Sequence, residues 1–101
     1  MEKHFNELTP AEAERLALLM EECAEVQQMI GKILRHGYES CNPYDQLRTA
    51  NRALLERELG DAYLALLLMT EAGDVTPERI AERKDAKREL VEKYLHHQRA
   101  V

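Results

Sequence analysis

The stretch Leu16-Ala17-Leu18-Leu19-Met20-Glu21-Glu22-Cys23-Ala24-Glu25-Val26 decides the fold class. Apolar residues recur at Leu16, Leu19, Met20, Cys23 and Val26, and continue at Ile30, Ile33 and Leu34. That is the spacing of one face of an α-helix. Glu22 and Glu25 sit inside the stripe, three residues apart. On a helix they point the same way, roughly 60° apart around the axis. A matching pair occurs downstream in Glu58-Leu59-Gly60-Asp61, set among Leu54, Leu55, Ala62 and Tyr63. Two adjacent helices of this kind aim four carboxylates at one small volume. So much negative charge repels itself, and an oxygen-only cluster suits a hard divalent cation such as Mg²⁺, with Mn²⁺ as a substitute. A solvated acidic face is the other reading of either pair alone. The apolar surroundings weigh against it, because carboxylates bordering a core are costly unless paired or metal-bound.

Working outward, Thr9-Pro10-Ala11-Glu12 is a helix start: Thr9 as N-cap, Pro10 at the first helical position, Glu12 completing a capping box. Gly37 is a C-terminal stop. The first helix is therefore expected from Pro10 to His36, after a frayed lead-in over Met1 to Leu8. Residues 37–48 are the main irregular stretch. A second helix starts at Pro43, with Asn42 as cap, or near Thr49; the later start is preferred, giving 49–72 with Gly73 beyond. Thr76-Pro77-Glu78 repeats the first start signal, and the third helix is expected over 77–96. No strand pattern appears. The chain reads as one all-α domain, 1–101, an antiparallel helical bundle.

Ala62 to Met69 is apolar on every side, which is the mark of a helix buried all round. Three helices cannot cover it, and the third has only a thin apolar stripe (Ile80, Ala81, Leu90, Val91, Tyr94), which suits a helix lying across the bundle surface. Part of the second helix is therefore expected to pack on another subunit. A chain of 101 residues buries little core alone, which points the same way.

The net charge of −5 disfavours a general nucleic-acid binder. Cys23 and Cys41 have neither metal-ligand nor disulfide-framework spacing and suit a reducing compartment. Met1 to Pro10 lacks a signal-peptide core, and the run Ala62 to Met69 is too short to span a bilayer. A cytoplasmic location without membrane contact is the expectation. There is no phosphate-binding glycine loop, no HExxH, and no Glu-x-x-His pair of the di-iron kind.

Lys32 lies seven residues past Glu25, nearly in line with it, and Arg35 is one turn further. Cations beyond a metal cluster suit a phosphorylated ligand; taken alone, attraction to the helix C-terminal dipole is the plainer reading of them. Lys84, Lys87 and Arg88 add cations on the third helix, where a solvated charged face is the plainer reading. Tyr38 and Tyr44 are placed to stack on a base or simply to pack.

The pattern Glu21-Glu22-x-x-Glu25 followed by Glu58-x-x-Asp61 resembles the EExxE…ExxD signature of the MazG-type, all-α nucleoside triphosphate pyrophosphohydrolases. Glu58-Leu59-Gly60-Asp61 has the frequent "ELGD" form of that family. Lys32-Ile33-Leu34-Arg35-His36-Gly37 is similar to the K-x-x-R-x-G ending of the first helix in its short members. The resemblance runs from Leu16 to Tyr94. It implies an antiparallel bundle completed by forming a homodimer or homotetramer. It implies hydrolysis of a nucleoside triphosphate to the monophosphate and pyrophosphate with Mg²⁺. It makes Glu22, Glu25, Glu58 and Asp61 metal ligands, Glu21 a catalytic acid that either supports the ligands or orients the water, and Lys32 and Arg35 phosphate contacts. Asp85-Ala86-Lys87 resembles an N/D-x-K element of the family, which adds Lys87 and its neighbour Lys84 to the phosphate contacts. Base recognition is expected from residues 37–51, with Tyr38 and Asn51 as its candidates. The alternative is a non-catalytic helical module that keeps a nucleotide or metal pocket without turnover.

Overall fold

Thr9 opens the first helix, α1, which spans Pro10–His36. Its hydroxyl accepts from the Glu12 N–H at 3.1 Å, and the Glu12 carboxylate accepts from the Thr9 N–H at 2.8 Å. This reciprocal pair satisfies two of the helix's orphan donors. At the far end Gly37 has φ 91° and ψ 165°, a region open in practice only to glycine. Its N–H donates to Ile33 O at 2.7 Å and closes the last turn.

The structure is a computed structural model that describes residues 5–98. Its remaining helices are α2, Asn51–Glu71, and α3, Pro77–Val91. Among the described residues there is no strand, only one isolated bridge between Cys41 and Ala50. The protein is all-α. Part of the expected lead-in over 1–8 lies outside the described residues. Within the rest of it, Asn6 Oδ1 accepts from the Leu8 N–H at 3.1 Å.

α2 begins at Asn51, two residues later than expected. Asp45 holds the preceding segment in turns instead: its carboxylate accepts from the N–H groups of Leu47 at 3.0 Å and Thr49 at 2.8 Å. Those bonds hold the Asp45 carboxyl below its ordinary value. Asn42 likewise accepts from the Tyr44 N–H at 2.9 Å, a local turn and not a helix cap. The end of α2 is a Schellman motif: the Gly73 N–H donates to Thr70 O and the Asp74 N–H to Met69 O. Gly73, at φ 83°, supplies the left-handed residue that motif needs.

α3 stops at Val91, not at 96; residues 92–94 form a turn, with the Tyr94 and Leu95 N–H groups both donating to Val91 O. Its cap is also weaker than the sequence suggests, since the Thr76 side chain makes no capping hydrogen bond.

α1 and α2 run antiparallel, pinned at both ends. Near one end Arg15 clamps Asp74, Nε to Oδ2 at 2.6 Å and Nη2 to Oδ1 at 3.0 Å. At the other, the Asn51 side chain donates to Gly37 O at 3.1 Å, and the Asn51 N–H donates to Ser40 O at 2.8 Å. The core between them is small: Met29, Ala65 and Met69 are the buried apolar residues. Of the run Ala62 to Met69, only Ala65 and Met69 are buried, while Tyr63, Leu64 and Leu67 are exposed. The expectation of burial on all sides is not met within one chain. α3 buries no residue at all and leaves an apolar groove of about 370 Å³ against α2. The radius of gyration, 17.6 Å, exceeds the about 13 Å usual for a folded chain of this length.

Candidate metal centre

Helical spacing carries Glu22 and Glu25 to one face of α1, and Glu58 and Asp61 to one face of α2. The antiparallel pairing sets these faces opposite each other. One carboxylate oxygen from each of the four lies within 4.8 Å of the other three. Glu22, Glu25 and Glu58 are half-buried and Asp61 is exposed, so the cluster opens to solvent on the Asp61 side.

The electrostatics are unfavourable as the chain stands. Glu22 Oε2 and Glu58 Oε2 are both buried and have no hydrogen-bond partner. Burial pushes the Glu22 carboxyl up, and the charges of Asp61, Glu21 and Glu58 push it further. Glu58 is raised chiefly by donating, when protonated, to Glu25; burial and the charges of Glu25 and Asp61 act in the same direction. Among the described residues no cation forms an ion pair with any of the four. An oxygen-only set with two orphaned buried oxygens fits a hard divalent ion, which supplies the missing positive charge. Glu21 is exposed and outside the four; it faces them only as a neighbouring charge on Glu22.

Lys32 and Arg35 join the acids. A groove of about 830 Å³ is lined by Glu25 and Glu58 at one end and by Lys32 and Arg35 at the other. Gly31 lies in its wall; a side chain there would meet Arg35 Nη1 at 3.5 Å, so the guanidinium folds back over the glycine. Lys32 and Arg35 also line a second cavity, of about 260 Å³, with His36, Ser40, Asn42 and Asn51 in its wall. Asn51 is 2 % exposed and is the one buried polar residue among those described.

The remaining expected site residues sit elsewhere. Tyr38 lines neither cavity, and its ring is covered by the Arg52 guanidinium, 4.3 Å from the centroid. Arg52 is in turn held by Glu39 at 2.7 Å. Lys84 lies on the apolar groove between α2 and α3 and pairs with Asp85 at 3.5 Å; Lys87 is exposed and lines neither of the acid-side cavities. Within one chain the third-helix cations are thus not brought to the acids. Sequence reasoning passed over His36, Ser40 and Asn42 as cavity residues. His36 had a signal, since it directly follows Arg35 at the helix end; Ser40 and Asn42 had none, because the loop's path sets their direction.

Compared with protein-family models, curated proteins and solved structures, the chain has no match. Among the described residues, no helix is long and apolar enough to cross a membrane.

Proposed function

We propose that this chain is a Mg²⁺-dependent nucleoside triphosphate pyrophosphohydrolase, converting a ribo- or deoxyribonucleoside triphosphate and water to the monophosphate and pyrophosphate. The observation that carries the reading is the convergence of Glu22, Glu25, Glu58 and Asp61 from two helices, with two buried oxygens left unpartnered. These four residues would hold the ion. When bound, it neutralises phosphate charge and lowers the pKa of the water it holds.

The chain's own residues divide the remaining work. Lys32 and Arg35, in one groove with Glu25 and Glu58, take phosphate oxygens and keep the triphosphate along α1. Glu21, beside the cluster, orients the attacking water. The water oxygen bonds to the α-phosphorus and gives its proton to solvent, the bond from that phosphorus to the bridging oxygen breaks, and pyrophosphate departs. Its new charge is met by Lys32 and Arg35, an electrostatic stabilisation of the leaving group.

The same reading has the chain act as a homodimer or homotetramer. Exposed apolar side chains support this: Met20 and Leu34 on α1 are 72 % and 82 % exposed, and Tyr63 on α2 is 76 % exposed. Exposed apolar side chains spread along two paired helices are what an interface between subunits would cover.

The test is a pyrophosphate-release screen over canonical and modified nucleoside triphosphates with Mg²⁺ or Mn²⁺, beside Glu58→Gln. Pyrophosphate release that the variant loses supports the enzyme. Tight binding of Mg²⁺ and nucleotide with no release would instead make the chain a non-catalytic binding module.

A further inference from the structure

α1 turns a second stripe to solvent besides the face it packs on α2. Leu16, Met20, Cys23, Gln27, Ile30 and Leu34 are all exposed. Their spacings run four, three, four, three, four. At about 100° per residue, all six lie within about 40° of one line along the helix. Met29, the buried residue of α1, lies on another side. Alternating spacings of three and four mark the seam of two helices packed knobs-into-holes. Gln27 alone in the stripe is polar.

Two observations say what covers this stripe. Its spacing reads the same from either end, so it matches a second copy of itself run in reverse: Leu16 opposite Leu34, Met20 opposite Ile30, Cys23 opposite Gln27. Charge selects the same direction. Residues 10–25 carry Glu12, Glu14, Glu21, Glu22 and Glu25 against Arg15 alone, while residues 26–36 carry Lys32, Arg35 and His36 and no acid. A parallel pair would set acid beside acid. An antiparallel pair lays the acidic half of each helix along the basic half of the other, which is the complementary arrangement. Glu14 and Glu21, both exposed, then come level with His36 and Met29 of the other copy and bracket its Lys32 and Arg35.

We infer that two copies of this chain join through antiparallel α1 helices in that register. The inference rests on the homo-oligomer of the proposed reading and supplies its interface; it does not need the chemistry of the acid cluster. It also bears on the site. Ala24, Gln27, Gln28 and Gly31 line the groove that holds Glu25 and Glu58, so the groove runs beside the seam. In an antiparallel pair like edges of the seam meet. The two acid grooves therefore open on one face of the dimer, adjoin across the twofold axis, and are each walled by the other copy.

The test is directed cross-linking of the full chain. In a Cys41→Ser background Cys23 is the remaining thiol. The antiparallel register sets its two copies about 6 Å apart along the axis, besides the gap between the helices, which is too far to bridge. Gln27→Cys in that background places a thiol opposite Cys23 of the second copy. With copper phenanthroline as oxidant, the expected product is a covalent dimer joining Cys23 to position 27, identified by peptide mass, and no such dimer in the single-thiol chain. A bridge from Cys23 to Cys23, which a parallel pair makes, would overturn the inference. So would the absence of any bridge in the Gln27→Cys chain. Sedimentation gives a second readout. Leu34 is 82 % exposed in one copy, so Leu34→Asp spares the fold and should weaken the dimer at least about tenfold. An oligomer that survives Leu34→Asp but dissociates in Leu67→Asp would overturn the α1 pairing and leave the homo-oligomer standing. A monomer that releases pyrophosphate would sink the pairing and spare the proposed chemistry.

Discussion

Glu22 on α1 and Glu58 on α2 each bury one oxygen, Oε2, with no hydrogen-bond donor in reach. The charge of Glu58 adds to the cost of Glu22, and those of Glu25 and Asp61 add to the cost of Glu58, in the metal-free chain. Glu58→Gln should therefore separate function from stability. Pyrophosphate release should fall by more than about 100-fold, the upper end for residues that merely support a metal ligand. The metal-free variant should melt no lower than the parent at neutral pH, since a repelled charge has been removed. A thermal melt beside the activity assay reads both.

The same strain has a pH signature. Glu22 and Glu58 titrate above their ordinary value of 4.5 in the folded chain, so folding disfavours their ionised forms. Stability of the metal-free protein should rise as pH falls from neutral through their folded pKa values, and level off below the unfolded value. Mg²⁺ should raise the melting temperature more at pH 8 than at pH 5, because protons and the ion compete for the same oxygens. Melts with Mg²⁺ and with a chelator at the two pH values check this.

Arg15 and Asp74 behave oppositely. The guanidinium holds the Asp74 carboxyl below its ordinary 3.8. A lowered acid stabilises the fold above its unfolded pKa, and that contribution is lost as pH falls through the folded value. Asp74→Asn should lower the melting temperature at pH 7, and the difference from the parent should shrink as pH falls below 3.8 toward the lowered folded value.

Gly60 lies in the interior of α2 with open space where a side chain would be. Gly60→Ala should stabilise the chain by about 0.5–1 kcal/mol, the helix-interior cost of glycine. A denaturant titration measures it. A loss of stability instead would mean that another subunit's backbone approaches α2 at that point.

Leu67→Asp and Met20→Asp place a charge on the exposed apolar faces of α2 and α1. Sedimentation equilibrium should show the parent as a dimer or tetramer and these variants shifted to smaller species.

Which parts of this were legible in the sequence depends on how local their causes are. The span of α1 was fixed by Thr9, Pro10, Glu12 and Gly37, all acting within a turn of its ends. The four acids were legible because helical spacing alone places each pair, and only the pairing of the helices had to be supplied. The start of α2 was less so: Asp45 and Asn42 each spend their side chains on nearby N–H groups, and that choice depends on the loop's path. The end of α3 was overestimated because Leu90, Tyr94 and Leu95, at its far end, stay exposed and add no burial to hold a further turn. The Arg15 clamp on Asp74 was invisible, since neither residue's neighbourhood signals a partner 59 positions away.

Asp74 does two things at once: its N–H caps α2 and its carboxylate fixes Arg15. One residue inserted between Gly73 and Asp74 would move both groups out of place together. The turn after α2 is thus intolerant of length change, whereas the exposed tip of the longer connection, around Tyr44 and Leu47, is the place for the chain to accept an insertion or a tag.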